Sequence, residues 1–138
     1  MVIYIDENLP PQLAAGLNII QEPLNQRNRT NFQVKSIKAT FGEGVKDEDW
    51  IPKAGKEHAV AITRDLKIQT TRHQKKLCEE YGLGVFFFSG ASSGLSYWQI
   101  VKTLVEKWES ILKIIDSQKP PFSFRFSVRS SKIERIDE

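Results

Sequence analysis

Val2-Ile3-Tyr4-Ile5 leading into Asp6-Glu7-Asn8, and Ala59-Val60-Ala61-Ile62 leading into Thr63-Arg64-Asp65, are the two stretches on which the fold turns. Each is a short apolar run with β-branched members, closed by a polar turn, as expected of a strand buried on both faces. Between them, Pro10 and Pro11 suit the opening of a helix, where a missing amide hydrogen costs little, and Leu13, Ala14, Leu17 and Ile20 continue at helical spacing. Residues 23 to 31 read as a loop rich in Asn and Arg, and Phe32, Val34 and Ile37 as a weaker strand. Gly42 and Gly44 mark a turn before Asp47. That residue is placed to cap a helix with Glu48 and Asp49 in its first turn and Pro52 as an interruption.

The second half continues the alternation. An amphipathic helix is expected over about 68 to 81, closed by Gly82, and Val85 to Phe88 reads as a third buried strand. The best helix starts at Ser96, where Ser96 and Gln99 form a capping box. Its expected core stripe is Trp98, Val101, Leu104, Val105, Trp108, Ile111, Leu112 and Ile115. Pro120 and Pro121 stop it. Phe122, Phe124, Phe126 and Val128 then alternate with Ser123, Arg125 and Ser127, the pattern of a half-buried edge strand. Strand and helix alternate along almost the whole chain, which argues an α/β fold of three layers with a largely parallel central sheet flanked by helices. One domain over residues 1 to 129 and a flexible C-terminal tail over 130 to 138 are expected.

With 138 residues, 40% hydrophobic and 27% charged, the composition is that of an ordinary soluble domain. Cys78 is the only cysteine, so no internal disulfide forms, and no apolar stretch approaches the roughly 20 residues that span a bilayer. With no secretion signal at the N-terminus, the expected location is cytoplasmic. The net charge of +3 is unevenly placed. Residues 64 to 76 hold Arg64, Lys67, Arg72, Lys75 and Lys76 against Asp65, and residues 119 to 135 hold five basic residues against Glu134. One such run alone is usually a solvated face, but several flanking an acidic cluster favour a phosphate-backbone ligand.

The acids themselves are the more telling feature. Carboxylates leaving the C-terminal ends of neighbouring parallel strands gather in one crevice, and hard cations such as Mg²⁺ and Mn²⁺ need only a few oxygen ligands there. Asp6 and Asp65 follow strands, and Asp47-Glu48-Asp49 forms a third acidic station. Each acid also has a plainer use: Asp6 or Asp47 as a helix cap, Asp65 in an Asx turn. His58 and His73 lack the spacing of zinc ligands and read as structural or solvated, Cys78 as a small core residue.

Asp6-Glu7-Asn8-Leu9-Pro10, Asp47-Glu48-Asp49-Trp50-Ile51-Pro52 and Ile62-Thr63-Arg64-Asp65 together resemble the PIN-like domains, in particular the VapC-type toxin branch that opens on a DENL-like motif. The likeness runs over about residues 1 to 115. It implies a PIN-like fold, a metal-dependent ribonuclease site using Mg²⁺ or Mn²⁺, RNA as substrate and a cognate antitoxin as partner. Carried onto this sequence, Asp6, Asp47 and Asp65 are the catalytic, metal-binding carboxylates, with Glu7, Glu48 and Asp49 as assistants. Thr63 would orient the site, and Arg64 and Lys67, with Arg72 and Lys75 on the following helix, would meet the RNA backbone. The fourth acid of familiar PIN nucleases has no counterpart, since residues 84 to 95 offer only Ser89, Ser92 and Ser93. Two other readings therefore stand beside the nuclease: a catalytically weak module that binds RNA or protein, and a phosphoacceptor receiver domain with Asp65 as acceptor. The surplus of aromatics at Tyr97, Trp98 and Trp108 also suits a homodimer contact.

Overall fold

The computed structural model describes residues 1–64, 68–90 and 94–136. In chain order the elements are β1 (Val2–Ile5), α1 (Gln12–Asn28), β2 (Gln33–Ser36), α2 (Ile37–Phe41), α3 (Asp47–Lys56), β3 (Val60–Arg64), α4 (Ile68–Tyr81), β4 (Gly84–Phe88), α5 (Tyr97–Ser117), β5 (Phe122–Phe126) and β6 (Glu134–Arg135). The six strands form one sheet in the order β2-β1-β3-β4-β5-β6. The first five are mutually parallel, and β6 runs antiparallel to β5. This is the expected three-layer α/β architecture.

Period-two alternation divides the sheet between two cores. Ile3, Ile5, Val60, Ile62, Phe86, Phe88 and the three phenylalanines of β5 face α1 and α5. Tyr4, Ala61, Val85 and Phe87 face α3 and α4, with Trp50, Ile51, Ala54 and Cys78 above them. From β3 to β4 and from β4 to β5 the chain steps the same way across the sheet, yet α4 and α5 lie on opposite faces. The β4–α5–β5 crossover therefore has the hand opposite to the other three, an exception among parallel crossovers. Its effect is to set α5 beside α1, where the Trp108 indole N–H donates to the buried Gln21 amide oxygen at 2.9 Å.

Several local expectations are corrected. α1 runs through Pro23 to Asn28, where a loop was expected. A proline inside a helix costs about 3 kcal/mol. Here the last turns are pinned from outside: Gln21 donates to Asn25, and the Asn25 side chain bonds both the Phe32 carbonyl and its amide. α3 likewise continues through Pro52. Ile37 opens the short helix α2, capped by Ser36, and is not a strand residue. On α5 the capping box forms, but Trp98 is 73% and Val105 51% exposed, and Ile100 takes the core position instead. β5 is not the sheet edge. The stretch expected as a loose tail supplies β6, and Ile136 N–H donates to the Ser123 carbonyl at 2.9 Å.

Candidate functional site

The strand order 2-1-3-4-5 reverses between β1 and β3, so the crevice at the C-terminal ends of these two strands is the topological switch point. Ile5 pairs with Ile62, and the Asp6 N–H donates to the Ile62 carbonyl at 3.0 Å, carrying the ladder one residue past β1. By alternation Asp6 and Thr63 then fall on the same side as Tyr4 and Ala61, under α3 and α4.

The Asp6 carboxylate accepts main-chain N–H bonds from Arg64, Glu7 and Asn8. Burial nevertheless pushes its pKa up from 3.8 to about 6; the N–H bonds oppose this and the negative charge of Asp47 adds to it. Asp6 and Asp47 are thus brought within electrostatic reach of each other. Asp47 is not the cap of α3, since Lys46 occupies that position without a side-chain bond. Asp47 instead turns toward α4, where Gln74 Nε2 lies 3.3 Å from each of its oxygens, and Trp50 Nε1 donates to Oδ1 at 3.0 Å. The hydroxyl of Thr63, a residue only 1% exposed, makes no hydrogen bond with any described residue. A buried hydroxyl left open in the ladder position next to Asp6 is a feature that calls for a ligand, because burying it unpaired costs about 1–3 kcal/mol.

The other expected site residues fare differently. Asp65 and Lys67 lie outside the described residues. Glu48 turns to His73 on α4, Oε1 to Nε2 at 2.6 Å, which holds its carboxyl below the usual range. Glu7 accepts the Gly44 N–H at 3.4 Å, and Asp49 is exposed on the first turn of α3. Arg64 ends β3 and supplies its main-chain N–H to Asp6, while Arg72 is exposed on α4. Lys75 corrects the reading of its basic run: it is 8% exposed and paired with Glu79 at 2.7 Å, turned into the protein and not toward a polyanion outside. At the end of β4, in the region without a fourth acid in the sequence, Ser89 Oγ donates to the Phe126 carbonyl. Sequence reading missed Gln74 and Trp50, because nothing local links position 47 to position 74.

Beside Asp6 a cavity of about 390 Å³ opens between the ends of β1 and β2, lined by Glu7, Asn8, Ser36, Lys38 and Glu43 among others. Among the described residues no three His, Cys, Asp or Glu side chains are grouped to hold a metal ion. Asp6 and Asp47 are the two carboxylates there that could take part in holding a hard divalent cation. Mg²⁺ is commonly held by one or two carboxylates, with waters and substrate phosphates completing its shell.

The model of the PIN-like domain family matches residues 1–90 of this chain, and the chain belongs to that family. Such domains are commonly nucleases. No curated protein and no solved structure matches the chain. Among the described residues no helix is long and apolar enough to cross a membrane.

Proposed function

We propose that this protein is a metal-dependent endoribonuclease of the VapC-type branch, the toxin of a toxin–antitoxin pair acting in the cytoplasm, with Mg²⁺ or Mn²⁺ as cofactor. One observation carries the reading: at the switch point the buried Asp6 carboxylate feels the charge of Asp47, and the ladder sets beside it a buried Thr63 hydroxyl that no described residue satisfies. Asp6, Asp47 and Asp65 would hold the cation. When bound, it would lower the pKa of a coordinated water and steady charge on the scissile phosphate.

The chain's own part is orientation and exclusion. Main-chain N–H groups at residues 7, 8 and 64 hold the Asp6 carboxylate in place, and its desolvated setting strengthens its pull on any cation. The Thr63 hydroxyl is free to donate to an oxygen arriving in the crevice. Arg64, Lys67 and Arg72 would meet the RNA backbone. A cognate antitoxin and a homodimer are the expected protein partners, and the exposed Trp98 and Tyr97 on α5 are available to either.

The test is cleavage of a mixed RNA substrate with added Mn²⁺ or Mg²⁺ by the wild type, Asp6→Asn and Asp47→Asn. Cleavage should need the metal and fall by at least about 100-fold in each variant, a loss of some 3 kcal/mol of transition-state stabilisation. Equal cleavage by all three proteins would sink the reading. A second reading, a module that binds RNA or protein without cutting, is favoured by the lack of any three-acid grouping among the described residues. It predicts salt-sensitive RNA binding that survives both substitutions and chelation of the metal.

A further inference from the structure

Asp47 opens α3, where free main-chain N–H groups and the helix dipole would ordinarily draw a carboxylate back over the helix end. It points elsewhere. Gln74, from the second turn of α4, reaches both of its oxygens at 3.3 Å, and the indole of the 3%-exposed Trp50 reaches Oδ1 at 3.0 Å. The carboxylate is thus gripped from two helices that pack closely enough for Gly55 of α3 to lie against the Tyr81 carbonyl of α4.

The chemistry of the grip matters as much as its geometry. Both donors are neutral. An arginine or lysine in either place would fix Asp47 equally well but would cancel its charge; an amide and an indole fix the direction and leave the charge for another cation. That charge is felt across the crevice at Asp6. Two like charges held near one another by neutral donors are a costly arrangement for the folded chain, and a shared cation relieves it.

We infer that Gln74 and Trp50 are positioning residues, aiming the Asp47 carboxylate at a divalent cation shared with Asp6. The inference rests on the metal-dependent reading of the site, and outer partners of this kind typically change metal affinity by 10–100-fold when removed.

The experiment is Mn²⁺ titration followed by electron paramagnetic resonance, on the wild type, Gln74→Leu and Trp50→Phe, with thermal unfolding of each metal-free protein alongside. Trp50→Phe keeps a ring to pack against Phe41 while losing the N–H, so the two variants remove the grip from different helices. Each should weaken Mn²⁺ binding by about 10-fold or more. Cleavage lost at low Mn²⁺ should return as Mn²⁺ is raised, which a merely structural lesion would not show. Wild-type Mn²⁺ affinity in both variants would overturn the inference and leave the metal site standing. No saturable Mn²⁺ binding by the wild type would instead remove the metal reading itself, and the inference with it.

Discussion

Asp6 is where folding and the proposed metal-binding role pull against each other. Its carboxyl is raised to about 6, first by burial and then by Asp47, so the folded chain holds this proton more tightly than the unfolded chain does. For a raised carboxyl the sign is unfavourable. The contribution of Asp6 to the stability of the metal-free protein is greatest below about pH 4 and is lost as the pH rises through 6, by up to about 3 kcal/mol for a carboxyl raised from 3.8 to about 6. Asp6→Asn keeps an oxygen for the three main-chain N–H groups and removes the charge. In urea unfolding without metal it should be more stable than the wild type at pH 7.5, by roughly 1–3 kcal/mol, with the gain shrinking at pH 4.5. A variant less stable at both pH values would contradict the burial argument. Asp6 was legible in the sequence because its placement needs only a strand and a turn, both local patterns. The inward-facing Lys75 was not, since a run of basic residues says nothing about which side of a helix each one takes.

At the scale of elements, the site depends on α3 and α4 lying close together. Alanine in place of a helical glycine usually stabilises by about 1 kcal/mol. At Gly55 the added Cβ would run into the Tyr81 carbonyl, a main-chain atom that cannot move alone. Gly55→Ala should therefore destabilise by about 1–3 kcal/mol in spite of propensity. It should also weaken Mn²⁺ binding by wedging Gln74 away from Asp47. A thermal midpoint at or above that of the wild type would show that the helices have slack there. The capping box of α5 and the shared inner face of Phe122, Phe124 and Phe126 could be read directly, because each is written within a few residues, while Ser123 is buried and Val128 exposed against the expected alternation. The passage of α1 through Pro23 could not. It depends on Asn25 meeting Phe32 and on Gln21 meeting Trp108, and the second pair is 87 residues apart.

For the whole molecule, the oppositely handed crossover carries α5 to the α1 face and leaves β5 to be covered at its outer side by the C-terminal strand. β6 closes an edge that would otherwise present unpaired N–H and C=O groups. Around it, Lys107 holds the Ser130 carbonyl at 2.6 Å, and Arg135 stacks over Phe124 while bonding Gln118. Truncation after Arg129 should lower the thermal midpoint by several degrees and raise light scattering on heating. An unchanged midpoint would make β6 incidental. The three-layer architecture was readable from the alternation of strands and helices, but neither the exceptional hand nor the role of the tail was. Both depend on which face each helix takes, and periodicity does not encode that.

The proposed activity rests on two carboxylates, Asp6 at the β1–β3 switch point and Asp47 at the start of α3. The most direct test is calorimetric titration of the metal-free protein with Mn²⁺ near pH 7.5, beside Asp6→Asn and Asp47→Asn. Saturable binding by the wild type, lost or weakened at least 10-fold in both variants, is the predicted result. Absence of saturable binding, or binding that both variants keep, would contradict it.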